Sequence, residues 1–249
     1  MGLLPDRSLR DPADRRPAHA APQAGDEEGG PLTYPGGDPI DQCVHLGREV
    51  IGAGLAIGSG GNLSARSPGA HECVVTAAGT WLDRLDRTSF VRVRIADGVA
   101  PQGATPSSEV GLHLSVYRAR PDVNAVVHLH PQTAVLLDAL GVAVRLITTD
   151  HAFYLRRVAV TPWHAPGTPG VGEAVAEAVA DGTNCVLLPF HGCAVLGETV
   201  EMAHRRAANL EEAARLTYQA LLLTGGLGPR ELPACPPDFL AHRDPGSLI

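Results

Sequence analysis

The run Asn124–His130 (NAVVHLH) is the segment that most narrows what this chain can fold into. It is apolar and β-branched up to its histidines and is stopped by Pro131, so it reads as a strand buried within a sheet, with two imidazoles at its carboxyl end. On a strand, residues i and i+2 point to one face, so His128 and His130 can grip a single metal ion. Alone, such a pair is more often structural than ligating. A second buried run, NCVLLPF (184–190), leads directly into His191-Gly192. The glycine is expected to permit a tight turn that leaves this imidazole at the strand end. Three histidines so placed make an open tripod, the catalytic form of a zinc site, although iron, cobalt or manganese fit it as well.

The rest of the chain supplies layers to cover such a sheet. Asp38 or Asp41 can cap a helix carrying Val44, Val50, Ile51 and Leu55, which stops in Gly58-Ser59-Gly60-Gly61-Asn62. Strands are expected at 72–77 and 91–95, with Asp97-Gly98 as a hairpin-turn signal. Helices follow at 107–120 and 132–140, strands near 144–148 and 157–160, a helix at 170–180 and a strand at 184–189. A last helix starts near Thr199, places Val200, Ala203, Ala207, Leu210, Ala214 and Leu221 on one face, and ends at Gly225-Gly226. Strands and helices mixed without strict βαβ alternation predict an α/β fold of the layered-sandwich kind. Residues 1–37 have no periodic apolar face and read as a flexible N-terminal tail; 225–249 reads as an irregular Pro-rich C-terminal extension, leaving 38–224 as the catalytic domain.

Composition removes several mechanisms. All 20 basic residues are arginine, so Schiff-base aldolases, pyridoxal-phosphate enzymes and P-loop nucleotide hydrolases, which need a lysine amine, are excluded. A formal charge of −7 without a basic stripe predicts no nucleic-acid partner. Five scattered cysteines without a CxxC pair point to a reducing, cytoplasmic setting rather than a disulfide framework. No run approaches membrane-spanning length, so no membrane association is expected.

Glu109 falls in the first turn of the 107–120 helix, which Ser107 or Ser108 is expected to cap. Its carboxylate is either part of a capping box or a general acid/base beside the metal. The Gly58–Asn62 turn offers backbone N–H groups to an anion. His113, one helical turn after Glu109, could support that carboxylate, although a helix histidine near the core more often satisfies a backbone or side-chain partner; Cys193, two residues after His191, could be a soft extra ligand but on a short strand reads as packed core.

Four segments together resemble the class II aldolase/adducin family, typified by fuculose-phosphate aldolase and ribulose-phosphate 4-epimerase. They are GGNLSAR (60–66), VTAAGTWLDRL (75–85), PSSEVGLHLSVYRARPDVNAVVHLHP (106–131) and LLPFHGCAVLGETVEMAHRRAANLEEAARL (187–216). The resemblance implies a three-layer α/β/α sandwich with a central, largely antiparallel sheet, and a homotetramer with active sites between subunits. It implies that His128, His130 and His191 bind a divalent metal, zinc first, and that Glu109 completes the resting site or swings away to transfer a proton. Gly61, Asn62, Gly79, Ser107 and Ser108 fall where the family binds substrate phosphate. Ala78, in Thr76-Ala77-Ala78-Gly79, stands where the family has a phosphate-facing hydroxyl. In place of the family's C-terminal tyrosine the tail offers only Phe239, and Asp150, His151 and Tyr154 are the replacements that could reach across an interface.

A metal held by three neutral imidazoles keeps its positive charge, so it can chelate a carbonyl and an adjacent hydroxyl and stabilise an enediolate. This predicts a metal-dependent lyase of aldolase or decarboxylase type acting on a small hydroxy-carbonyl substrate. Alternatives are an Fe(II)-dependent oxygenase that oxidatively decarboxylates an aryl 2-oxo or 2-hydroxy acid in secondary metabolism, and a sugar-phosphate 4-epimerase. An adducin-like scaffold without catalysis is disfavoured, because it would not need an intact tripod and Glu109.

Overall fold

The strand that carries His128 is buried along its whole length: Ala125–Leu129 has no exposed residue. A computed structural model describes Tyr34, residues 36–225, Ala234 and Cys235. Most of the expected N-terminal tail and C-terminal extension, including Phe239, lies outside the described residues.

The first helix, α1 (Pro39–Gly52), starts where Asp38 accepts a hydrogen bond from Ile40 N–H and proline takes the first helical position. Strands β1 (Asn62–Ala65), β2 (Glu72–Thr76) and β3 (Phe90–Arg94) follow, then α2 (Val110–Ala119) and β4 (Ala125–Leu129). Next come α3 (Gln132–Ala139), α4 (Thr149–Leu155), β5 (Ala159–Val160) and α5 (Pro169–Val179). The chain then forms β6 (Cys185–Leu188), β7 (Gly192–Gly197) and the long α6 (Val200–Leu223), whose first turn is capped by Thr199.

The seven strands form one sheet in the order β3-β2-β1-β4-β7-β6-β5. Every neighbouring pair is antiparallel except β5 and β6. Successive residues of a strand point to opposite faces, and both faces are covered. On one face Leu63, Val127, Leu129 and Val195 pack with Leu46 of α1, Leu137 of α3 and Ala207 and Leu210 of α6. On the other, Val75, Val126, Val186 and Leu196 pack with Leu112 and Val116 of α2 and Val171 and Val175 of α5. This is the expected three-layer sandwich, and it explains why the central strands lack a polar face.

Four local expectations need correction. The segment 144–148 is not a strand; Arg145 N–H donates to Thr217 Oγ1 at 2.9 Å and Leu146 C=O accepts from Cys235 N–H at 2.7 Å, so helix and tail contacts replace a ladder. The unexpected α4 follows, started by a capping box between Thr148 and His151. The Asp97-Gly98 turn closes β3, with Gly98 N–H donating to Arg94 C=O at 2.8 Å, but no described strand returns from it. Four-residue β1 was not expected, since only its first residue, Asn62, falls in what reads as a glycine turn, yet it lies between β2 and β4.

Candidate metal centre

Register assembles the site. Asn62 of β1 pairs with His128 of β4, and Leu129 pairs with Cys193 of β7. His191, immediately before β7, therefore comes alongside the end of β4, where His128 and His130 project on the α2 side of the sheet. The three rings have centroids 4.7–5.1 Å apart, and one ring nitrogen of each lies within 4.8 Å of the others. His128 is fully buried, and its Nδ1 donates to the Cys193 carbonyl at 2.9 Å.

Glu109 closes the cluster. Its Oε2 lies 3.0 Å from His128 Nε2 and its Oε1 3.4 Å from His191 Nε2, while His130 Nε2 is 3.0 Å from His128 Nε2. Electron-rich nitrogen and oxygen atoms thus converge on one point, which requires a proton or a cation among them. Glu109 Oε1 is buried with no hydrogen-bond partner. Three imidazoles and a carboxylate are a donor set suited to zinc, iron, cobalt or manganese, so these residues fit a divalent cation.

The electrostatics agree. Burial alone would raise the Glu109 carboxyl, but the hydrogen bond from His128, the positive potential of His128 and His191, and the Asn62 amide outweigh it and bring it down to about 2. Burial, followed by the charges of His128 and His191, lowers His130 to about 4. Burial also lowers His191. An ionised Glu109 and a lowered His130 and His191 suit ligation, and a bound cation would take the place of the hydrogen that His128 Nε2 directs at Glu109.

Two glycines let the backbone of β4 and the His130 ring pack closely. A side chain on Gly192 would lie 2.6 Å from His130 Cδ2 and 2.3 Å from the Leu129 carbonyl, and one on Gly61 (φ +98°) would lie 2.6 Å from the His128 carbonyl. Gly192 is thus a close-approach residue on β7 rather than the turn residue expected. The left-handed position beside His191 is taken by Phe190 instead, at φ +58°.

Of the residues expected to contact substrate, those of the 76–79 turn and the start of α2 lie side by side. Ser107 N–H donates to Thr76 C=O and Ala78 N–H to Thr105 C=O, both at 3.0 Å, tying the 76–79 turn to the start of α2. Ser108, Ala78 and Gly79 are exposed there. Ser107 is buried and accepts from Glu109 N–H at 3.2 Å; Glu109 itself holds the N-cap position of α2 without making a side-chain cap, so neither expected cap forms. Asn62 is directed inward, with both ends of its amide engaged by Glu109 and His113.

Asp150, His151 and Tyr154 do not join this cluster within the chain. All three lie on α4: His151 serves the capping box, Asp150 is exposed, and the Tyr154 hydroxyl accepts from Arg205 Nη1 at 3.2 Å near the far end of β7. What sequence reasoning missed is the polar chain behind Glu109, through Asn62, His113, Ser64 and Tyr117. A signal for it existed, since Glu109, His113 and Tyr117 recur every four residues along one helix face.

The profile of the Class II Aldolase and Adducin N-terminal domain matches residues 41–218. A 3-oxo-tetronate 4-phosphate decarboxylase of Escherichia coli (strain K12) is 35% identical over 183 residues, 72% of this chain and 85% of the relative. An L-fuculose phosphate aldolase of Methanocaldococcus jannaschii is 28% identical over 182 residues, 73% of this chain and 97% of the relative. Among solved structures, L-fuculose-1-phosphate aldolase from Thermus thermophilus superposes with a TM-score of 0.66 at 27% identity, covering 75% of this chain and 95% of that one. YgbL from Klebsiella pneumoniae gives 0.69 at 30% identity, over 82% and 96%.

Proposed function

The chain belongs to the class II aldolase and adducin family, and from that premise we propose that it is a divalent-metal-dependent carbon–carbon lyase of aldolase or decarboxylase type acting on a small hydroxy-carbonyl substrate. The observation that carries the reading is the closure of the three-histidine cluster by Glu109, at 3.0 Å from His128 and 3.4 Å from His191. His128, His130 and His191 are the proposed metal ligands, with zinc the first candidate and Fe(II), cobalt and manganese the others. A bound divalent cation supplies Lewis-acid stabilisation of the negative charge that develops on a substrate carbonyl oxygen.

The chain's own residues divide the remaining work. The bond that breaks lies one carbon removed from the carbonyl; its electron pair moves toward that carbonyl, and the departing fragment is an aldehyde or carbon dioxide. Glu109, held as a carboxylate, accepts a proton from a substrate hydroxyl or water and returns it to the carbon left behind. Gly61, Gly79, Ser107 and Ser108 are proposed to hold substrate oxygens through backbone N–H groups and hydroxyls. Ala78 adds no hydroxyl there, so phosphate, if the substrate carries one, relies on its neighbours. A homotetramer in the cytoplasm completes the proposal; free cysteines at all five positions support a reducing compartment, and no described helix is long and apolar enough to cross a membrane.

The test is to purify the protein, measure its bound metal, and assay it with 3-oxo-tetronate 4-phosphate and L-fuculose 1-phosphate, the substrates named by its relatives, followed by their unphosphorylated analogues. Metal-dependent release of carbon dioxide or an aldehyde from any of these is expected. Oxygen consumption would favour the Fe(II) oxygenase chemistry instead.

A further inference from the structure

Behind Glu109 runs a buried chain of hydrogen bonds. Asn62 Nδ2 donates to Glu109 Oε2 at 3.0 Å, and Asn62 Oδ1 lies 2.5 Å from His113 Nε2. His113 Nδ1 is 2.6 Å from Ser64 Oγ, which is 2.8 Å from the Tyr117 hydroxyl. Asn62, His113, Ser64 and Tyr117 are all buried, none exposed by more than 5%.

The charge on Glu109 gives every link one direction. An ionised carboxylate only accepts, so Asn62 must present its NH2 group to Glu109 and its carbonyl to His113. His113 Nε2 must then carry a hydrogen. In the neutral ring this leaves Nδ1 as an acceptor for the Ser64 hydroxyl, whose oxygen in turn accepts from Tyr117. Burial keeps the ring neutral, lowering His113 to about 3. Asn62 and Ser64 alternate on one face of β1, while His113 and Tyr117 lie one turn apart on α2, so two elements hold the chain from both sides.

We propose that His113 is a positioning residue: by donating from Nε2 to Asn62 it locks the amide that grips Glu109, keeping the carboxylate turned toward His128 and His191. This rests on the reading of Glu109 as the proton-transfer group beside the metal. Packing alone would ask only for a polar side chain of suitable volume at position 113. The hydrogen-bond chain asks for a donor at one place, the Nε2 position.

Two substitutions separate these demands. The amide nitrogen of His113→Gln reaches the Nε2 position, whereas that of His113→Asn reaches only the Nδ1 position. With Co(II) as the probe, His113→Gln is expected to keep the visible absorption spectrum of the unaltered protein. His113→Asn is expected to shift it toward the spectrum of Glu109→Gln, with kcat on any accepted substrate reduced about tenfold to a hundredfold. Identical spectra from the two His113 variants would overturn the proposal. A Glu109→Gln variant with kcat equal to that of the unaltered protein would instead overturn the underlying reading of Glu109. If either His113 variant does not fold, nitrogen-15 NMR of the unaltered, metal-free protein at pH 7 still decides: the neutral Nε2–H tautomer of His113 is expected, and an Nδ1–H or doubly protonated ring would refute it.

Discussion

His128 donates from Nδ1 to the carbonyl of Cys193 at 2.9 Å, across the β4–β7 pair. That bond fixes the ring so that Nε2 faces His130, His191 and Glu109, the arrangement by which outer partners orient metal-binding imidazoles. It also explains why Cys193 is no ligand. Its backbone serves the site while its side chain is buried in the core shared with α1 and α6, where burial pushes the thiol well above its ordinary range.

The first prediction follows from this geometry. His128→Ala removes the most buried of the three rings and leaves His130 and His191 unable to close the cluster. Metal content of the purified protein, measured by mass spectrometry, is expected to fall at least about tenfold, with activity lost in parallel. Unchanged metal content would remove the tripod as the binding site.

Glu109→Gln separates metal binding from proton transfer. Glutamine keeps the shape and the Asn62 neighbour but cannot take up a proton as a carboxylate does. The expected result is a fall in kcat of about 10²–10⁴-fold with metal content close to that of the unaltered protein. Equal losses of metal and turnover would make Glu109 primarily a ligand.

Acid should destabilise the metal-free protein in a defined window. His113 is neutral in the fold down to about pH 3 and His130 to about pH 4, whereas histidines of the unfolded chain take up protons near pH 6.5. Below that point the unfolded state binds more protons, so stability falls as pH drops, by roughly 1–1.5 kcal/mol per pH unit for each such histidine. Glu109 acts in the same direction at lower pH: with its carboxyl lowered from 4.5 to about 2, its contribution is complete above 4.5 and is lost as pH falls through that interval. Urea unfolding at pH 7, 6 and 5 should show this decline, and His113→Phe should make it shallower. A pH-independent midpoint would contradict the buried neutral histidine.

Much of this was legible in the sequence, for identifiable reasons. NAVVHLH and NCVLLPF announce strands covered on both sides, because a strand with one wet face would alternate. His128, His130 and His191 could be named because each follows such a run, and α6 could be bounded because Thr199 caps it and Gly225 comes two residues after its end. The Asn62–Glu109 contact was not legible, since it depends on four-residue β1 entering the sheet between β2 and β4. Nor was the true role of Gly192, because a close approach to another strand leaves no mark in the local sequence. Segment 144–148 alternates like a strand, but its backbone partners come from α6 and the tail, which are distant in sequence.

Glu211, in the Leu-Glu-x-x-Ala stretch of α6, supports the site from the opposite face. Its buried carboxylate accepts from Thr133 N–H at 3.2 Å, Thr133 Oγ1 at 2.6 Å and Ala134 N–H at 3.1 Å, satisfying donors in the first turn of α3 directly after His130-Pro131. Glu211→Ala would strand these donors at a cost of about 2–3 kcal/mol. For a chain of this size that corresponds to a melting temperature lower by about 4–12 °C. A change under one degree would show that water replaces the carboxylate there.

Gly192→Ala tests whether the close approach of β7 to His130 is needed. The added methyl would lie 2.3 Å from the Leu129 carbonyl and 2.6 Å from His130 Cδ2, and the first of these contacts is with backbone that cannot swing aside. Either β7 moves away from the end of β4, breaking the Leu129–Cys193 register that also carries the His128 hydrogen bond, or the His130 ring rotates out of the cluster. Both outcomes lower metal affinity, and the first adds a loss of stability of about 1–3 kcal/mol from overpacking. Measuring Co(II) affinity and thermal stability together distinguishes them: affinity lost with stability retained means that His130 has rotated, whereas loss of both means that the strands have parted. Retention of both would show that the glycine is dispensable and that the strand ends are looser than these distances imply.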